Sequence, residues 1–246
     1  MFPSLRNYGG IAPYPIQEQQ LNFLVACENT QTAEVVPNCE VQIIHTVVPN
    51  SGGHDHDDPS RPKGEFSMLA GNTGPGGFLS ITYTAPELSS NVNVNVSGLA
   101  NGLPATPEVF AIEVGLGGLV ELSPSDQYEL IGSFGEPGVG SRHVRNHFGM
   151  PEFNFALSRL ADLYVAAYPG ERLRYNDMSL ETGGVFDIGN NWQPPHGEHR
   201  FGVNVDLDTA FVNPEQRREL PRLMRLAGLR GPLDEGDHWH LTLRGF

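Results

Sequence analysis

The chain has 246 residues, enough for one or two domains and for a buried core that needs no disulfide lattice or metal staple. Its 15 basic and 29 acidic residues give a formal charge of −14, with the acid dispersed rather than massed in a tail, so no footprint for a phosphate backbone exists and no nucleic-acid partner is expected. Glycine (29) and proline (20) make up roughly a fifth of the chain, which suits turn-rich β structure better than a helical bundle.

No stretch reaches the ~18–20 apolar residues of a membrane helix. Met1-Phe2-Pro3-Ser4-Leu5-Arg6 opens no uninterrupted apolar run of the secretory kind. Leu24-Val25-Ala26-Cys27 has the outline of a lipidation box, but Gln17-Glu18-Gln19-Gln20 precedes it and no apolar segment does. Cys27 and Cys39 can close one hairpin-sized loop as a disulfide, worth on the order of 3 kcal/mol in the chain-entropy model, or stand as two buried thiols.

Strands dominate the first half. Glu34-Val35-Val36 and Val41-Gln42-Ile43-Ile44 flank a Pro37-Asn38 turn, and Phe78-Leu79-Ser80-Ile81-Thr82-Tyr83 follows the turn cluster Gly74-Pro75-Gly76-Gly77. Asn91-Val92-Asn93-Val94-Asn95-Val96 alternates without a fault, one face valine and the other asparagine. Val109-Phe110-Ala111-Ile112-Glu113-Val114 adds another strand, and the set predicts an Ig-like β-sandwich over residues 1–138. The pattern changes near Gly135–Gly140. Pro151 opens an amphipathic helix with apolar residues at Phe153, Leu157, Leu160, Leu163, Tyr164 and Ala167, closed by Pro169-Gly170. A second helix begins at the cap Asn213 with Pro214 at its first position, and Pro221 is expected to kink or split it before Gly228. The fold class is therefore α+β, with an accessory domain over 1–138 and a second domain over 139–246.

The chemistry concentrates near the end. In His238-Trp239-His240-Leu241-Thr242-Leu243, a strand puts His238, His240 and Thr242 on one face and Trp239, Leu241 and Leu243 on the other. Two imidazoles about 7 Å apart along a strand can serve one metal, one as ligand and one beside it, although taken alone the pair reads better as polar residues of an edge strand. Upstream, Asn204, Asp206 and Asp208 share one face of a short strand opposite Val203, Val205 and Leu207. His199 stands six intervening residues before Asp206, and Gly202 can take the dihedrals that fold it back. Two neutral imidazoles and a carboxylate leave Zn2+ with a formal charge of +1 and an open fourth position for water, as in catalytic sites.

His199 and Asp206 followed by His238-x-His240 resemble the signature of the LAS metallopeptidases, the group of lysostaphin-type enzymes, D-alanyl-D-alanine metallopeptidases and the hedgehog signalling domain. The likeness is closest to the penicillin-insensitive murein endopeptidases. Asn176-Asp177-Met178-Ser179-Leu180-Glu181-Thr182-Gly183-Gly184 is similar to the segment before their first ligand, and His196 matches a family histidine. The resemblance covers roughly 141–246. It implies an antiparallel sheet with flanking helices, His199, Asp206 and His240 as zinc ligands, and His238 as the catalytic residue beside the zinc-held water. Gly197 stands where the dipeptidases of the group have serine, and His238 where they use glutamate, which moves the expected substrate from free dipeptides to cross-linked wall peptides.

Other candidates are weaker. Asp177 and Ser179, with His196, are candidate substrate-binding or supporting residues, hairpin stabilisation being the alternative for the first two. Trp192 and Glu198 read as a solvated loop, and Gly183-Gly184 is no phosphate loop because no Lys-Ser/Thr follows. His143 and His147, four apart, read as a helix cap or cleft wall rather than metal ligands. In His54-Asp55-His56-Asp57-Asp58 the residues His54, His56 and Asp57 have the chemistry for a second cation, set against flanks that read as a surface loop. The expected function is a zinc-dependent hydrolase of amide bonds in peptidoglycan cross-links, acting outside the cytoplasm on a peptidoglycan or peptide partner. The competing expectation is a zinc-containing interaction or adhesion protein without catalysis.

Overall fold

The computed structural model describes residues 5–6, 20–135, 141–193 and 197–246. Their fold is α+β, mostly sheet with two α-helices, and none of those helices is long and apolar enough to cross a membrane. They form two compact units. Among the described residues, one takes in Leu5–Arg6, residues 20–51 and Asp58–Gly115, and the other takes in Gly52–Asp57 and those from Leu116 onward.

The first unit contains β1 (Leu5–Arg6), β2 (Gln20–Glu28), β3 (Val35–Val36), β4 (Glu40–Val47), β5 (Glu65–Phe66), β6 (Ala70–Asn72), β7 (Phe78–Thr84), β8 (Ser90–Ala100), β9 (Leu103–Pro104) and β10 (Glu108–Gly115). A six-stranded sheet runs β1-β10-β8-β4-β6 with β9 on β8, and a four-stranded sheet runs β3-β2-β7-β5. Both sheets feed one core. Val41, Ile43, Val92, Val94, Ile112 and Val114 come from the first, and Phe66, Ile81 and Tyr83 from the second. The valine face of β8 is thus the buried one, and Asn91, Asn93 and Asn95 are exposed, as period-two alternation demands. Val35–Val36 pairs with β2 and not with β4, so Pro37-Asn38 is no hairpin tip; there the chain passes from one sheet to the other. Cys27 and Cys39 form a disulfide between β2 and the start of β4, with Cα atoms 6.2 Å apart. It consumes the thiol that a lipidation box would need.

The second unit contains β11 (Val120–Glu121), β12 (Tyr128–Leu130), β13 (Phe148–Gly149), α1 (Pro151–Ala167), β14 (Leu173–Tyr175), a 3-10 turn (Gly197–Arg200), β15 (Asn204–Asp208), α2 (Pro214–Ala227), β16 (Leu233–Asp234) and β17 (His238–Thr242). Its five-stranded sheet has the order β12-β14-β15-β17-β16. The sheet is mixed and not wholly antiparallel, because β12 joins β14 in parallel. Apart from Gly52–Asp57, the unit's residues run from Leu116 onward, where β11 pairs with β13 and β12 with β14. Phe153, Leu157, Leu160 and Tyr164 of α1 and Leu220, Leu223 and Met224 of α2 pack with Val205, Leu207, Trp239 and Leu241 of the sheet. Burying one such side chain stabilises by about 1.5–3 kcal/mol.

Helix α2 starts as the sequence indicates. Asn213 Oδ1 accepts from the Glu215 and Gln216 amides, and Gln216 Oε1 accepts from the Asn213 amide, a full capping box. It ends at Gly228, with φ 94°. Pro221, however, neither splits nor ends the helix, which runs unbroken to Ala227. The apolar stripe of Leu220, Leu223, Met224 and Ala227 is buried in the core on both sides of the proline, and that packing holds the helix together across the missing N–H.

Candidate metal centres

Strand pairing assembles the first centre. β15 and β17 are antiparallel neighbours in which Asp206 stands directly opposite His240, and Asp208 opposite His238. Directly opposed residues have Cβ atoms about 4.5–5.5 Å apart, and here Asp206 Oδ1 lies 3.0 Å from His240 Nδ1. His199 arrives from the 3-10 turn. Gly202 between them has φ 66°, and a Cβ there would lie 2.5 Å from Leu119 Cδ2 and 3.1 Å from the Gly149 Cα, so only glycine makes this bend. The bend carries His199 Nε2 to 3.3 Å from Asp206 Oδ1. All three side chains are buried, and their ligand atoms lie within 4.8 Å of one another. His238 Nε2 comes to 3.6 Å from Asp206 Oδ2, at the more open edge of the group.

The proton inventory of this centre fits a cation. His199 Nδ1 lies 2.7 Å from the Met178 carbonyl, which can only accept, so Nδ1 carries the hydrogen. Nε2 then faces a carboxylate oxygen with its lone pair. That contact becomes attractive with a second proton on the ring or with a metal ion between the two atoms, and a carbonyl behind the imidazole is a usual orienting partner of a metal-bound histidine. Burial works to lower the His199 pKa, but the hydrogen bond and charge of Asp206 outweigh it and raise the pKa. Burial likewise opposes the charge of Asp206, yet His199 and His240 hold its carboxyl below the ordinary range. His238 is pulled down by burial and, more strongly, up by Asp206, Asp237 and Glu235 together.

Asp177 and Ser179 lie behind this centre rather than on an open cleft. Both are buried. The Asp177 carbonyl accepts from the Asp206 amide at 3.0 Å, and its Oδ1 accepts from Asn146 Nδ2 at 2.7 Å. Burial, with the neighbouring Asp206 charge, pushes its carboxyl up to about 6. The Ser179 hydroxyl donates to the Leu180 carbonyl at 3.3 Å. Their part is to position the loop beneath His199 and Asp206. His196 falls outside the described residues.

A second buried group unites His54, His56, His143 and Asp187, again with ligand atoms within 4.8 Å of one another. Of the expected second-cation residues, His54 and His56 belong to it. Asp57 does not: it is exposed, and Asp187 takes the carboxylate position. His143 is also corrected, since 143–147 forms no helical turn and His143 points to Asp187, whereas His147 lies against the Ile131 carbonyl at 3.0 Å. Interactions with His143 and His54 and the hydrogen bond from the Trp192 amide overcome the burial penalty and hold the Asp187 carboxyl well below the ordinary carboxylate range. Trp192 is no solvated loop residue; its ring stacks on His56 with centroids 4.0 Å apart. His143 and Asp187 carry no periodic signal, and only a His or Asp amid short apolar runs (Val185-Phe186-Asp187-Ile188) hinted at burial.

The described residues thus hold two buried His/Asp groups that could each bind a metal ion. No protein-family model and no curated protein matches the chain.

Proposed function

We propose that the chain is a zinc-dependent amidohydrolase of the LAS type that cleaves peptide cross-links of bacterial peptidoglycan. The observation that supports this reading best is the convergence of His199, Asp206 and His240 on one point, with His238 beside them on the same strand face. On this reading the first unit is an Ig-like sandwich, the second is a LAS-type domain, and the Cys27–Cys39 disulfide fits an extracytoplasmic setting.

Zinc bound by three protein ligands would polarise an amide carbonyl and bring the pKa of a water ligand to about 7. His199 Nε2, Asp206 Oδ1 and His240 Nδ1 are the atoms that would hold it. His238 Nδ1 lies 2.9 Å from Asp237 Oδ1 and donates its hydrogen there, which leaves Nε2 to accept a proton from the attacking water. Glu235 Oε2, 3.0 Å from Nε2, stabilises the imidazolium that results. His238 then returns the proton to the departing amine nitrogen. Asp206 stays ionised throughout, because its neighbours depress its pKa.

The test is digestion of purified peptidoglycan followed by mass spectrometry of the released peptides. The zinc-loaded protein is expected to create new amine termini at cross-links, and His240→Ala to lose both zinc at that centre and cleavage. Undiminished cleavage by His240→Ala, or zinc-loaded protein that releases nothing, would overturn the proposal; the second result favours a non-catalytic zinc protein.

A further inference from the structure

We propose that His54, His56, His143 and Asp187 form a second, closed metal site that takes one zinc ion on four protein ligands and serves structure, not catalysis. The geometry argues first. His54 Nδ1 and His143 Nε2 each lie 3.1 Å from Asp187 Oδ1, and His56 Nε2 lies 3.2 Å from Asp187 Oδ2. With metal–ligand bonds of about 2.0–2.1 Å, the ligand atoms of a tetrahedral zinc stand roughly 3.3–3.4 Å apart. The two separations to Asp187 Oδ1 are near that edge length, the His56 contact is to the second carboxylate oxygen, and one ligand atom from each residue lies within 4.8 Å of the others.

For His143 an outer contact fixes which nitrogen faces inward. His143 Nδ1 lies 3.2 Å from Asp55 Oδ1, and Asp55 is itself pinned, its Oδ2 accepting from the Val144 amide at 2.6 Å. A hydrogen on Nδ1 therefore satisfies Asp55 and turns the Nε2 lone pair toward Asp187. This is the carboxylate–histidine–metal arrangement in which the outer carboxylate sets the tautomer. Asp187 Oδ2 accepts from the Trp192 amide at 2.8 Å, which holds that carboxylate from the other side.

Burial closes the site. His54, His143 and Asp187 have side-chain exposures of 0%, and His56 13%. The rings of Trp192 and Phe186 lie against the cluster, Trp192 stacked on His56 and Phe186 5.6 Å from His143. Three imidazoles and one carboxylate fill a tetrahedron, whereas the centre at Asp206 offers three ligands and an approach past His238. Nitrogen-rich donors with one oxygen suit zinc better than calcium or magnesium.

The ligands also show what the ion would fasten. They come from 52–57, from the stretch around 143 and from the stretch around 187, all of it irregular backbone with no sheet ladder of its own. The segment Gly52–Asp57 is flanked in sequence by the first unit yet belongs to the second. Gly53, at φ 84°, presses so close that a Cβ would lie 2.9 Å from the Glu181 amide nitrogen. A four-ligand ion cross-links these loops where hydrogen-bonded strands cannot.

The experiment counts metal in the full-length chain after dialysis, by elemental mass spectrometry. We expect two zinc per chain in the wild type, one in His240→Ala, one in His143→Ala or Asp187→Asn, and one in His56→Ala, whose ligand is the least buried. Loading His240→Ala with Co2+ isolates the second site and should give the intense visible absorption of four-coordinate cobalt. Removing that ion should expose the 52–57 segment to proteolysis at a rate at least tenfold higher. Wild-type stoichiometry retained in a folded His56→Ala or Asp187→Asn protein, or the weak spectrum of six-coordinate cobalt, would overturn the proposal. The counts separate it from the catalytic reading, since either site can fail without the other.

Discussion

Asn204 Nδ2 lies 2.7 Å from His240 Nε2, and the same amide reaches Thr242 Oγ1 at 3.1 Å, all three residues sharing one face of adjacent strands. For Nδ1 of His240 to offer a lone pair to a cation, Nε2 must carry the hydrogen and need an acceptor. With Nδ2 in that position Nε2 is the acceptor; a half-turn of the Asn204 amide would place Oδ1 there instead, to accept from both Nε2–H and the Thr242 hydroxyl. On the proposed zinc reading, Asn204 in that turned-over orientation is the residue that would hold the metal-binding tautomer of His240. Replacing it by leucine should weaken zinc binding at this centre about 10–100-fold, and aspartate should retain it. Competition against a chromophoric chelator measures both, and equal affinity for the leucine variant would refute the assignment.

Gly202 offers a second handle on the same centre. Alanine there has to hold φ near 66° and avoid Leu119 and the Gly149–Met150 backbone. We expect Gly202→Ala to cost about 1–3 kcal/mol in stability and to weaken zinc binding by displacing His199. Denaturant melts and metal titration of the same preparation check the two effects.

Asp177 gives a pH signature. Its folded-state pKa of about 6 lies above that of an unfolded aspartate, about 3.9. The sign follows from linkage: its contribution is fully present below about pH 4 and is lost as the pH rises through about 6, because ionisation is harder in the folded protein. In the metal-free protein, wild type should lose up to about 3 kcal/mol relative to Asp177→Asn between pH 4 and 7.5. Parallel stability curves for the two proteins would rule this out.

The disulfide predicts a local effect. Cys27 and Cys39 are 12 residues apart in sequence, so opening the bridge should cost the first unit on the order of 3 kcal/mol. The double variant Cys27→Ala/Cys39→Ala should lower the unfolding midpoint of that unit and leave the zinc content unchanged.

Zinc removal should destabilise the chain more than either single-ligand variant alone. An ion that binds only the folded state contributes about 4 kcal/mol at a free concentration a thousand times its Kd. A melting temperature in chelator equal to that in zinc would show that neither group binds the ion tightly.

The legible parts of this chain are those governed by a short period. The Asn/Val alternation of β8, the cap Asn213-Pro214 and the face shared by His238 and His240 follow from strand and helix geometry alone, and so does the turn of His199 through Gly202. β2 is obscured because Leu24 puts an apolar side chain on the exposed face, so that Phe23-Leu24-Val25-Ala26 shows no apolar/polar alternation. That Asp187 and His143 face one another is not legible in the sequence. They lie on loops whose convergence depends on how Gly52–Asp57 is laid down against residues far along the chain, and no spacing in the sequence encodes that. Pro221 shows the opposite failure, a strong local rule overruled by tertiary packing.

The Phe186 ring lies 5.6 Å from the ring of His143 and 6.0 Å from that of His199, one aromatic side chain touching a ligand of each group. A dinuclear centre needs its ions about 3.5–4 Å apart, joined by a shared oxygen. The two groups share no residue and so no carboxylate that could form such a bridge, and each ion would keep its own charge, its own affinity and its own rate of exchange.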